Sequence, residues 1–473
     1  MLRSVERALV LVHRYVGIAV GPLMLLWCLT GIVMMYAPYP QIAEAERVAH
    51  LSPVDWAGCC RVGDALSSPD TAFARFQVEG LNGQAVLRVT SPRGASQLVR
   101  LSDGQLLASV DEASARKIAT AYTTEPEPLR VTPLDHDQWT VQGAHGPDRP
   151  LWKIAGELGT DVYVSSVSGK VIQRTDAGER FWNWIGTVPH WLYFTRLRQN
   201  GHLWTEVVVW TSTVGTFLTL IGLYIGIRQF RRGAGGNWIP YPGFHYWHHA
   251  LGLLFGVFVL TWVFSGLVSM NPWGFLEGGD FDEPERLEGL KLTASGIAAS
   301  VAALGQSAPP DVVSVTSAPL HGDLYLVATH ADGSRVRLDA QGRPAPLSAA
   351  DRDFVARTLD PMAKAASLEL ISREDDYYFS HQRDHAEMPS FRVVASDSER
   401  TRFYLDPVSG QIRAKIDGDN QKYRWLHQGL HRLDFSPLWR SRPLWDVVML
   451  TLLAGATAVC ALGTWIGIRR LTR

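Results

Sequence analysis

Four long stretches of this chain are apolar and nearly free of charge, and they limit its possible folds more than any other feature. They cover residues 9–36, 204–227, 251–270 and 444–468. A helix needs about 20 residues to cross roughly 30 Å of hydrocarbon. Because each stretch approaches or exceeds that length, the sequence predicts four transmembrane helices.

The first stretch has a rival interpretation as a cleaved secretory signal, since Arg3 and Arg7 precede it. Its length, the presence of His13 within it and the lack of a small-residue cleavage site favour a retained helix. Two neighbouring cysteines, Cys59 and Cys60, follow in the first polar segment. Neighbouring cysteines seldom bridge each other, so we predict no structural role for them.

Arginines near the ends of the apolar stretches predict the orientation of the chain. They fall on one side of the membrane, and by the positive-inside rule that side is the cytoplasm. Both termini are then cytoplasmic, and the polar segments lie outside, which in a bacterium means the periplasmic side of the inner membrane. The arginines are Arg3, Arg7, Arg14, Arg228, Arg231, Arg232, Arg469, Arg470 and Arg473.

The chain repeats itself. Each half contains a helix, a polar segment, an amphipathic aromatic segment and a second helix, so the repeats are parallel and related by a pseudo-two-fold axis along the membrane normal. One constant offset aligns the first and third helices, and another aligns the segments around the second and fourth. The aligned pairs include His13 with His248, Gly17 with Gly252, Trp27 with Trp262, Gly31 with Gly266, His190 with His431 and Gly222 with Gly463.

The polar segments predict small α+β domains. Alternating apolar and polar residues at 85–91, 324–330 and 391–396 indicate strands, and helical patterns occur near 111–122 and 348–366. The predicted organisation is residues 1–36 as the first helix, 37–203 as the first external domain with its amphipathic segment, 204–227 as the second helix, 228–247 as a cytoplasmic loop, 248–270 as the third helix, 271–443 as the second external domain with its amphipathic segment, and 444–473 as the fourth helix and tail.

Four histidines predict a cofactor, because histidine at membrane depth is costly unless it is paired or liganded. His13 and His248 lie near the cytoplasmic ends of their helices, whereas His190 and His431 precede the second and fourth helices on the other side. An object on the pseudo-two-fold axis would receive one imidazole from each half. Two opposed imidazoles are the axial ligands of six-coordinate haem iron, so we predict one haem at each level.

Two further histidines leave the axial ligands open. His249 adjoins His248 and replaces it if the helix is turned, and His427 lies one turn before His431. No Cys-x-x-Cys-His motif occurs in the sequence, so the predicted haems are b-type. Two ligands at each level are too few for zinc.

Further cofactor contacts are predicted at Gly17, Gly252, Trp27 and Trp262, where the glycines leave room for a flat ring and the tryptophans provide aromatic walls.

A substrate site is predicted on the external side. Its candidate residues are aromatic, charged or imidazole side chains, and loops often carry function. The net charge of −1 and the pI near 7.0 give no sign of a nucleic-acid partner. The candidates are His427, Tyr377, Tyr378 and His381 with Asp375, Asp376, Arg383 and His385, and in the first half Asp135, His136, Asp137, Trp139 and His145.

These residues resemble the PepSY-associated transmembrane helix family of bacterial inner-membrane proteins. The matching pieces are "VHRYVGI" and "TGIVM", "WHHALGL" and "SGLVSM", "PHWLYF" and "LHRLDF", and the external "VYVSSVSGKV" and "FYLDPVSGQI". The resemblance implies a four-helix bundle, PepSY-like periplasmic domains and, as in its ferric-siderophore reductases, two b haems. The matching family histidines are His13, His190, His248 and His431.

Function follows from the resemblance as an expectation. Electrons from quinol or a cytoplasmic reductase would cross the membrane and reduce a ferric siderophore or another ferric chelate, which loosens because oxygen donors hold Fe(III) better than Fe(II). Membrane lipid surrounds the helices. Two alternatives remain: a non-enzymatic anchored protein that binds or restrains a periplasmic protein, and a haem conduit that passes electrons to a partner protein.

Overall fold

Four long helices are present in the structure, as the sequence predicts. The computed structural model describes residues 2–62, 66, 68–126, 129–230, 238–279, 281–309, 311–363, 367–381 and 385–472. Within those residues, four helices are long and apolar enough to cross a membrane. In chain order, the first to fourth long helices are Leu2–Met34, Gly201–Gln229, Gly243–Ser269 and Leu444–Leu471.

The second and third long helices begin earlier than predicted. The second begins at Gly201 because the side chain of Asn200 caps it, accepting a hydrogen bond from the Leu203 amide at 3.0 Å. The third begins at Gly243, directly after Pro242. Hydropathy marks the apolar span of a helix, whereas capping residues set its start, so the two boundaries differ.

The outer faces of the long helices are apolar and exposed. Phe217, Leu254 and Val447 have 61%, 63% and 62% of their surface exposed. Apolar faces of this kind suit a hydrocarbon surrounding, in which the helical backbone bonds are already satisfied. The inner faces pack into a common core that includes Met24 and Trp262.

The first and fourth long helices run antiparallel. A Cβ added to Gly21 would lie 3.4 Å from the hydroxyl of Thr464, and one added to Gly467 would lie 3.1 Å from Ile18. The end of the bundle that carries the chain termini is called the termini side here. The opposite end, where the polar segments attach, is called the sheet side.

One seven-stranded antiparallel sheet contains strands from both polar segments. The halves join where Arg75–Leu81 pairs with Val312–Ser317, with Val78 opposite Val315. Alternation of apolar and polar residues predicts strands but does not identify their partners, so this shared sheet was not expected. Its strands in spatial order are Arg335–Asp339, Tyr325–His330, Val312–Ser317, Arg75–Leu81, Gln84–Thr90, Ser96–Arg100 and Gln105–Leu107.

Each polar segment also contains a four-stranded antiparallel sheet. The last two strands of each sheet are joined by a turn in which Gly169 or Gly410 adopts a positive φ, of 66° or 78°. The strands are Arg130–Leu134, Leu151–Ala155, Asp161–Ser165 and Val171–Thr175 in the first, and Glu369–Ile371, Ser390–Val394, Arg402–Leu405 and Ile412–Ile416 in the second. A further pair joins Ala72–Phe73 to Leu292–Thr293.

Short helices complete the polar segments. The two predicted patches are observed as Glu112–Thr120 and Ala349–Leu359, although residues 364–366 of the second patch lie outside the described residues. The others are Glu44–Ala49, Gly143–Asp148, Ala177–Ile185, Thr187–His190, Thr195–Arg198, Pro272–Gly274, Glu283–Glu288, Ala294–Ser307, Gly418–Tyr423, Arg424–Gly429, Leu430–Arg432 and Pro437–Arg440.

The largest core outside the bundle combines side chains from both halves. Phe76 and Val78 of the first segment pack with Ile297, Val315 and Leu326 of the second. All five are fully buried, so the two polar segments share one apolar interior as well as one sheet.

Cys59 and Cys60 are joined by a disulfide, which was not expected for neighbouring cysteines. Both pack against the core under the shared sheet. Gly305 leaves room for the Cys60 sulfur, since an added Cβ would lie 2.9 Å from that atom.

A pair of cysteines placed across the junction of the shared sheet should form a disulfide. Gln77 and Thr316 are direct partners in neighbouring antiparallel strands, and such partners have Cα atoms about 4.5–5.5 Å apart, within disulfide range. We expect the double variant Gln77→Cys, Thr316→Cys to yield a cross-linked peptide in mass spectrometry after oxidation. Gln77→Cys with Thr329→Cys, one strand further away, is the control, and equal cross-linking in both would contradict the strand order.

Candidate haem-binding site

His13 and His248 face each other on the termini side of the bundle. Their ring centroids lie 6.4 Å apart. The Nδ1 atom of His13 lies 3.2 Å from the carbonyl oxygen of Leu218, and that of His248 lies 3.1 Å from the carbonyl oxygen of Val459. Because a carbonyl only accepts, both Nδ1 atoms carry the proton and both Nε2 atoms keep a free lone pair.

Glycines on the neighbouring helices make room for these two rings. A Cβ added to Gly222 would lie 2.6 Å from the Cε1 atom of His13, and one added to Gly463 would lie 3.0 Å from that of His248. Real Cβ contacts are almost never as short as 2.6 Å, so any other residue at Gly222 would displace the imidazole of His13, and one at Gly463 would press on that of His248. The spacing also places each glycine four residues after the carbonyl that anchors the ring.

His190 and His431 form a second pair on the sheet side, with ring centroids 6.2 Å apart. The Nδ1 atom of His190 lies 3.1 Å from both the Trp27 carbonyl and the Thr30 hydroxyl. The Thr30 hydroxyl already donates to a helix carbonyl, so its oxygen accepts here. The proton on Nδ1 of His190 and the hydroxyl proton of Thr30 are therefore both used in bonds to the first helix. The Nε2 atom of His190 is left unprotonated.

The contacts of His431 on the third helix repeat those of His190 on the first. Its Nδ1 atom lies 2.9 Å from the Ser265 hydroxyl, and the Trp262 carbonyl also accepts from it. Gly31 and Gly266 lie beside the two rings, where an added Cβ would be 3.4 Å from His190 and 4.0 Å from His431. Both sheet-side rings therefore rest on helix backbone at a glycine.

The ring separations are those of two imidazoles that share one metal ion. Nitrogen ligands at about 2 Å from a metal lie about 4 Å apart, which puts the ring centres roughly 6 Å apart. Both pairs, at 6.4 and 6.2 Å, satisfy this condition. Within the described part of the chain, no cluster of three or more His, Cys, Asp or Glu side chains is arranged to hold a metal, so a closed zinc site lacks ligands.

The structure distinguishes between the adjacent histidines of the third helix. His248 faces His13, whereas His249 is buried beside Tyr241 with ring centroids 5.5 Å apart. In the described part of the chain, the Nε2 atom of His249 has no hydrogen-bond partner. Of the two predicted alternatives, only His248 is brought to the pair.

His427 lies next to the sheet-side pair. Its ring centroid is 5.4 Å from that of His431, and its Nδ1 atom lies 3.0 Å from the Ser265 carbonyl oxygen. It belongs to a π-helical turn, Arg424–Gly429, and such turns often occur at functional sites. Burial lowers the pKa of His427 to about 4 and that of His190 to about 4, so both imidazoles are neutral at pH 7.

A cavity of about 880 Å³ surrounds the termini-side pair, a size typical of cofactor sites. Gly17 and Gly252 line this cavity, and a Cβ added to Gly252 would meet no atom within 4 Å. Trp27 and Trp262 instead belong to the apolar core of the bundle. These two tryptophans contact the sheet-side histidines through their backbone carbonyls and not through their indole rings.

The predicted substrate residues divide into two groups. Tyr377 and His381 reach the sheet-side region, since the Trp425 indole donates to the Tyr377 hydroxyl at 3.3 Å and Arg432 donates to Nδ1 of His381 at 2.9 Å. Tyr378 instead stacks on Tyr404 at 4.6 Å. His381 has its pKa lowered to about 3 by burial and by nearby arginines.

The acidic candidates serve the fold. Asp375 accepts hydrogen bonds from Tyr404 and Arg392, and Asp137 accepts from Tyr163. Among the remaining candidates, Asp376 pairs with Arg440, Asp135 pairs with His136, and Trp139 is buried in a separate core. No described contact joins His145 or His385 to either histidine pair. Arg383 lies outside the described residues.

Thr30 and Ser265 were not predicted, although the sequence contains a signal for them. They occupy the same position in "WCLTG" (27–31) and "WVFSG" (262–266), which the repeat aligns. A small hydroxyl residue before an aligned glycine is a common feature of helix packing. Only the structure shows that these hydroxyls accept from the two imidazoles.

The four long apolar helices and the sheets define a polytopic membrane protein with β-sheet regions. The family model described as the PepSY-associated TM region matches residues 10–320, and the chain belongs to this family. Among curated proteins, no sequence matches the chain.

The fold should lose stability as the pH falls from 7 to 5, partly through His427. Its pKa is lowered to about 4 in the folded protein, whereas an unfolded chain binds the proton near pH 6.5. The unfolded state therefore holds more protons in this window, and the free energy of unfolding decreases as the pH decreases. His427→Gln should reduce the difference between melting temperatures at pH 7 and pH 5. His202→Gln, at an exposed position, is the control and should leave the difference unchanged.

Proposed function

We propose that the chain binds two b-type haems, one between His13 and His248 and one between His190 and His431. The observation that carries this proposal is the geometry of the two pairs, whose ring centroids lie 6.4 and 6.2 Å apart, a separation suited to one metal ion each, while the hydrogen bonds at Nδ1 leave Nε2 as the unprotonated nitrogen. When bound, haem supplies one-electron transfer at two depths of the membrane. The chain's own residues fix the tautomer and the orientation of each ligand.

The surroundings of the termini-side pair support a haem rather than a bare metal ion. The cavity of about 880 Å³ is lined by small residues that leave a flat space and by Arg14 and Arg469, whose charges suit propionate groups. The sequence has no Cys-x-x-Cys-His motif, so the group would be held by axial bonds and packing alone.

The proposed topology has both termini in the cytoplasm of a bacterium and the β sheets in the periplasm. The arginine-rich ends of the long helices support this orientation. The halves are parallel repeats, which is supported by matching contacts at His13 and His248 and at His190 and His431. The external sheets are PepSY-like domains that have merged through one shared sheet.

The proposed reaction is the reduction of a periplasmic ferric siderophore or similar ferric chelate. One electron from quinol or a cytoplasmic reductase converts Fe(III) to Fe(II), which oxygen donors hold less tightly. The chain holds its imidazoles neutral by burial and provides aromatic side chains, Tyr377 and Trp425, on the sheet side. A ferric chelate would dock on that side, beside His427.

Replacement of single histidines should remove haems one pair at a time. We expect about two b haems per chain by pyridine haemochrome quantitation of the full-length protein, and about one after His13→Ala, His248→Ala, His190→Ala or His431→Ala, since a single axial bond and packing retain haem poorly. His249→Ala is the matched control and should retain both. A colourless wild-type protein from haem-replete cells would instead support a non-enzymatic anchor, and haem reduction without turnover of ferric chelates would support an electron conduit.

Gly222→Ala should remove the termini-side haem and leave the other in place. The new Cβ would lie 2.6 Å from the His13 ring, which must then move. Because alanine favours a helix over glycine by about 1 kcal/mol, a loss of haem without a loss of helical structure would identify displacement of the ring as the cause. Gly201→Ala in the same helix is the control, since its Cβ would lie 3.7 Å from Arg198. Full haem occupancy in Gly222→Ala would contradict this account.

A further inference from the structure

Arg432 follows His431 directly, and no carboxylate of the described residues lies within salt-bridge distance of it, although Asp434 attracts its charge from further away. One guanidinium nitrogen donates to Nδ1 of His381 at 2.9 Å. The Arg432 carbonyl accepts from the Trp445 indole at 2.6 Å, which fixes the backbone next to the sheet-side pair. A guanidinium removed from water without a paired anion is costly, so this arrangement calls for a negative ligand.

The nearest carboxylates are used by two other arginines. Arg424 and Arg440 each lie 3.2 Å from Asp434 and stack on Phe379, at 4.5 and 4.0 Å from its centroid. The Asp376 carboxylate lies 3.4 Å from Arg440, and the Asp376 backbone carbonyl accepts from Nε of Arg424 at 2.8 Å.

Three guanidinium groups therefore share two carboxylates in this region, which leaves an excess of positive charge. One further guanidinium nitrogen each of Arg424 and Arg440 is buried without a hydrogen-bond partner among the residues that the structure describes. Positive charge with unused donors is the electrostatic setting in which an anion binds well.

The tautomer of His381 adds a second donor. A guanidinium only donates, so Nδ1 of His381 accepts from Arg432 and the proton of this neutral ring is on Nε2. Arg432 and His381 thus offer N–H groups and no acceptor to a ligand. A planar carboxylate, which accepts in a fork, matches this set of donors.

The first half of the chain lacks the corresponding charge. The alignment that pairs His190 with His431 also pairs Trp191 with Arg432 and Gly186 with His427. The excess positive charge is therefore confined to one side of the histidine pair, beside the third imidazole. This asymmetry indicates a ligand that approaches from one side only.

We propose that Arg432 and His381 form a carboxylate-binding site at the edge of the sheet-side histidine pair. The inference rests on the proposed function, because two sources of carboxylate could reach this position: a propionate of the bound haem, or the carboxylate of a ferric chelate such as ferric citrate. Both sources present a carboxylate. With a propionate, Arg432 would control the reduction potential of the haem, whereas with a chelate it would control the KM for that substrate.

The test compares Arg432→Gln with Arg442→Gln in the full-length, haem-loaded protein. Arg442 is a matched control, since it lies on the same segment and already pairs with Asp446 at 3.4 Å. Three quantities are measured: the reduction potential of each haem, the KM for ferric citrate, and the KM for an uncharged ferric trihydroxamate. Arg432→Lys, which keeps the charge, should restore part of any effect.

A propionate partner predicts a lower potential for one haem in Arg432→Gln, because a positive charge stabilises the reduced form, with both KM values unchanged. A chelate partner predicts at least about a 10-fold higher KM for ferric citrate, the effect of losing a charge-assisted hydrogen bond, with kcat, the trihydroxamate KM and the potentials unchanged. Either result supports the site.

Equality of Arg432→Gln and Arg442→Gln in all three quantities would overturn the site while leaving the proposed function intact. A colourless wild-type protein would overturn the proposed function, and this site with it. Should Arg432→Gln fail to fold, His381→Gln provides the same comparison from the other donor, and no effect there would overturn the site.

Discussion

The arrangement depends on one contact, in which an imidazole lies on the backbone of a neighbouring helix at a glycine. In all four cases the carbonyl that accepts from Nδ1 belongs to the residue four positions before that glycine. A helical carbonyl already accepts from the amide four residues later, so the imidazole uses its second lone pair. The carbonyl and glycine pairs are Leu218 with Gly222, Val459 with Gly463, Trp27 with Gly31 and Trp262 with Gly266.

This contact explains how four rings can be oriented by neutral groups, since in the described residues their Nδ1 atoms bond to carbonyl and hydroxyl oxygens. A carbonyl forces the proton onto Nδ1, and on the termini side the missing side chains of Gly222 and Gly463 let the rings come close enough to bond. The Nε2 atoms are left unprotonated and able to bind a metal. Each pair thus takes one ring from each half, so its separation is controlled by how firmly the two halves are held together. The helix bundle and the seven-stranded sheet hold them at two levels.

The sequence was sufficient for features that are local or repeated. Hydropathy located the long helices, alternation located the strands, and the internal alignment paired His13 with His248 and His190 with His431. The choice of His248 over His249 was out of reach, because neighbouring residues on a helix differ by about 100° in direction and no periodicity fixed the phase. The position of His427 depends on a π-helical turn. The charge excess at Arg432 involves residues far apart in the chain, which composition does not report.

The shared sheet also affects how the chain is made. Strand Arg75–Leu81 belongs to the first polar segment, but one of its edges pairs with Val312–Ser317. During synthesis, the ribosome must add more than half of the polypeptide before that partner emerges. An unpaired edge can bind other extended chains in the meantime. The nascent protein therefore needs shielding by a chaperone or by rapid burial. A gene cut between the halves would yield two products that each expose an unpaired, aggregation-prone strand edge.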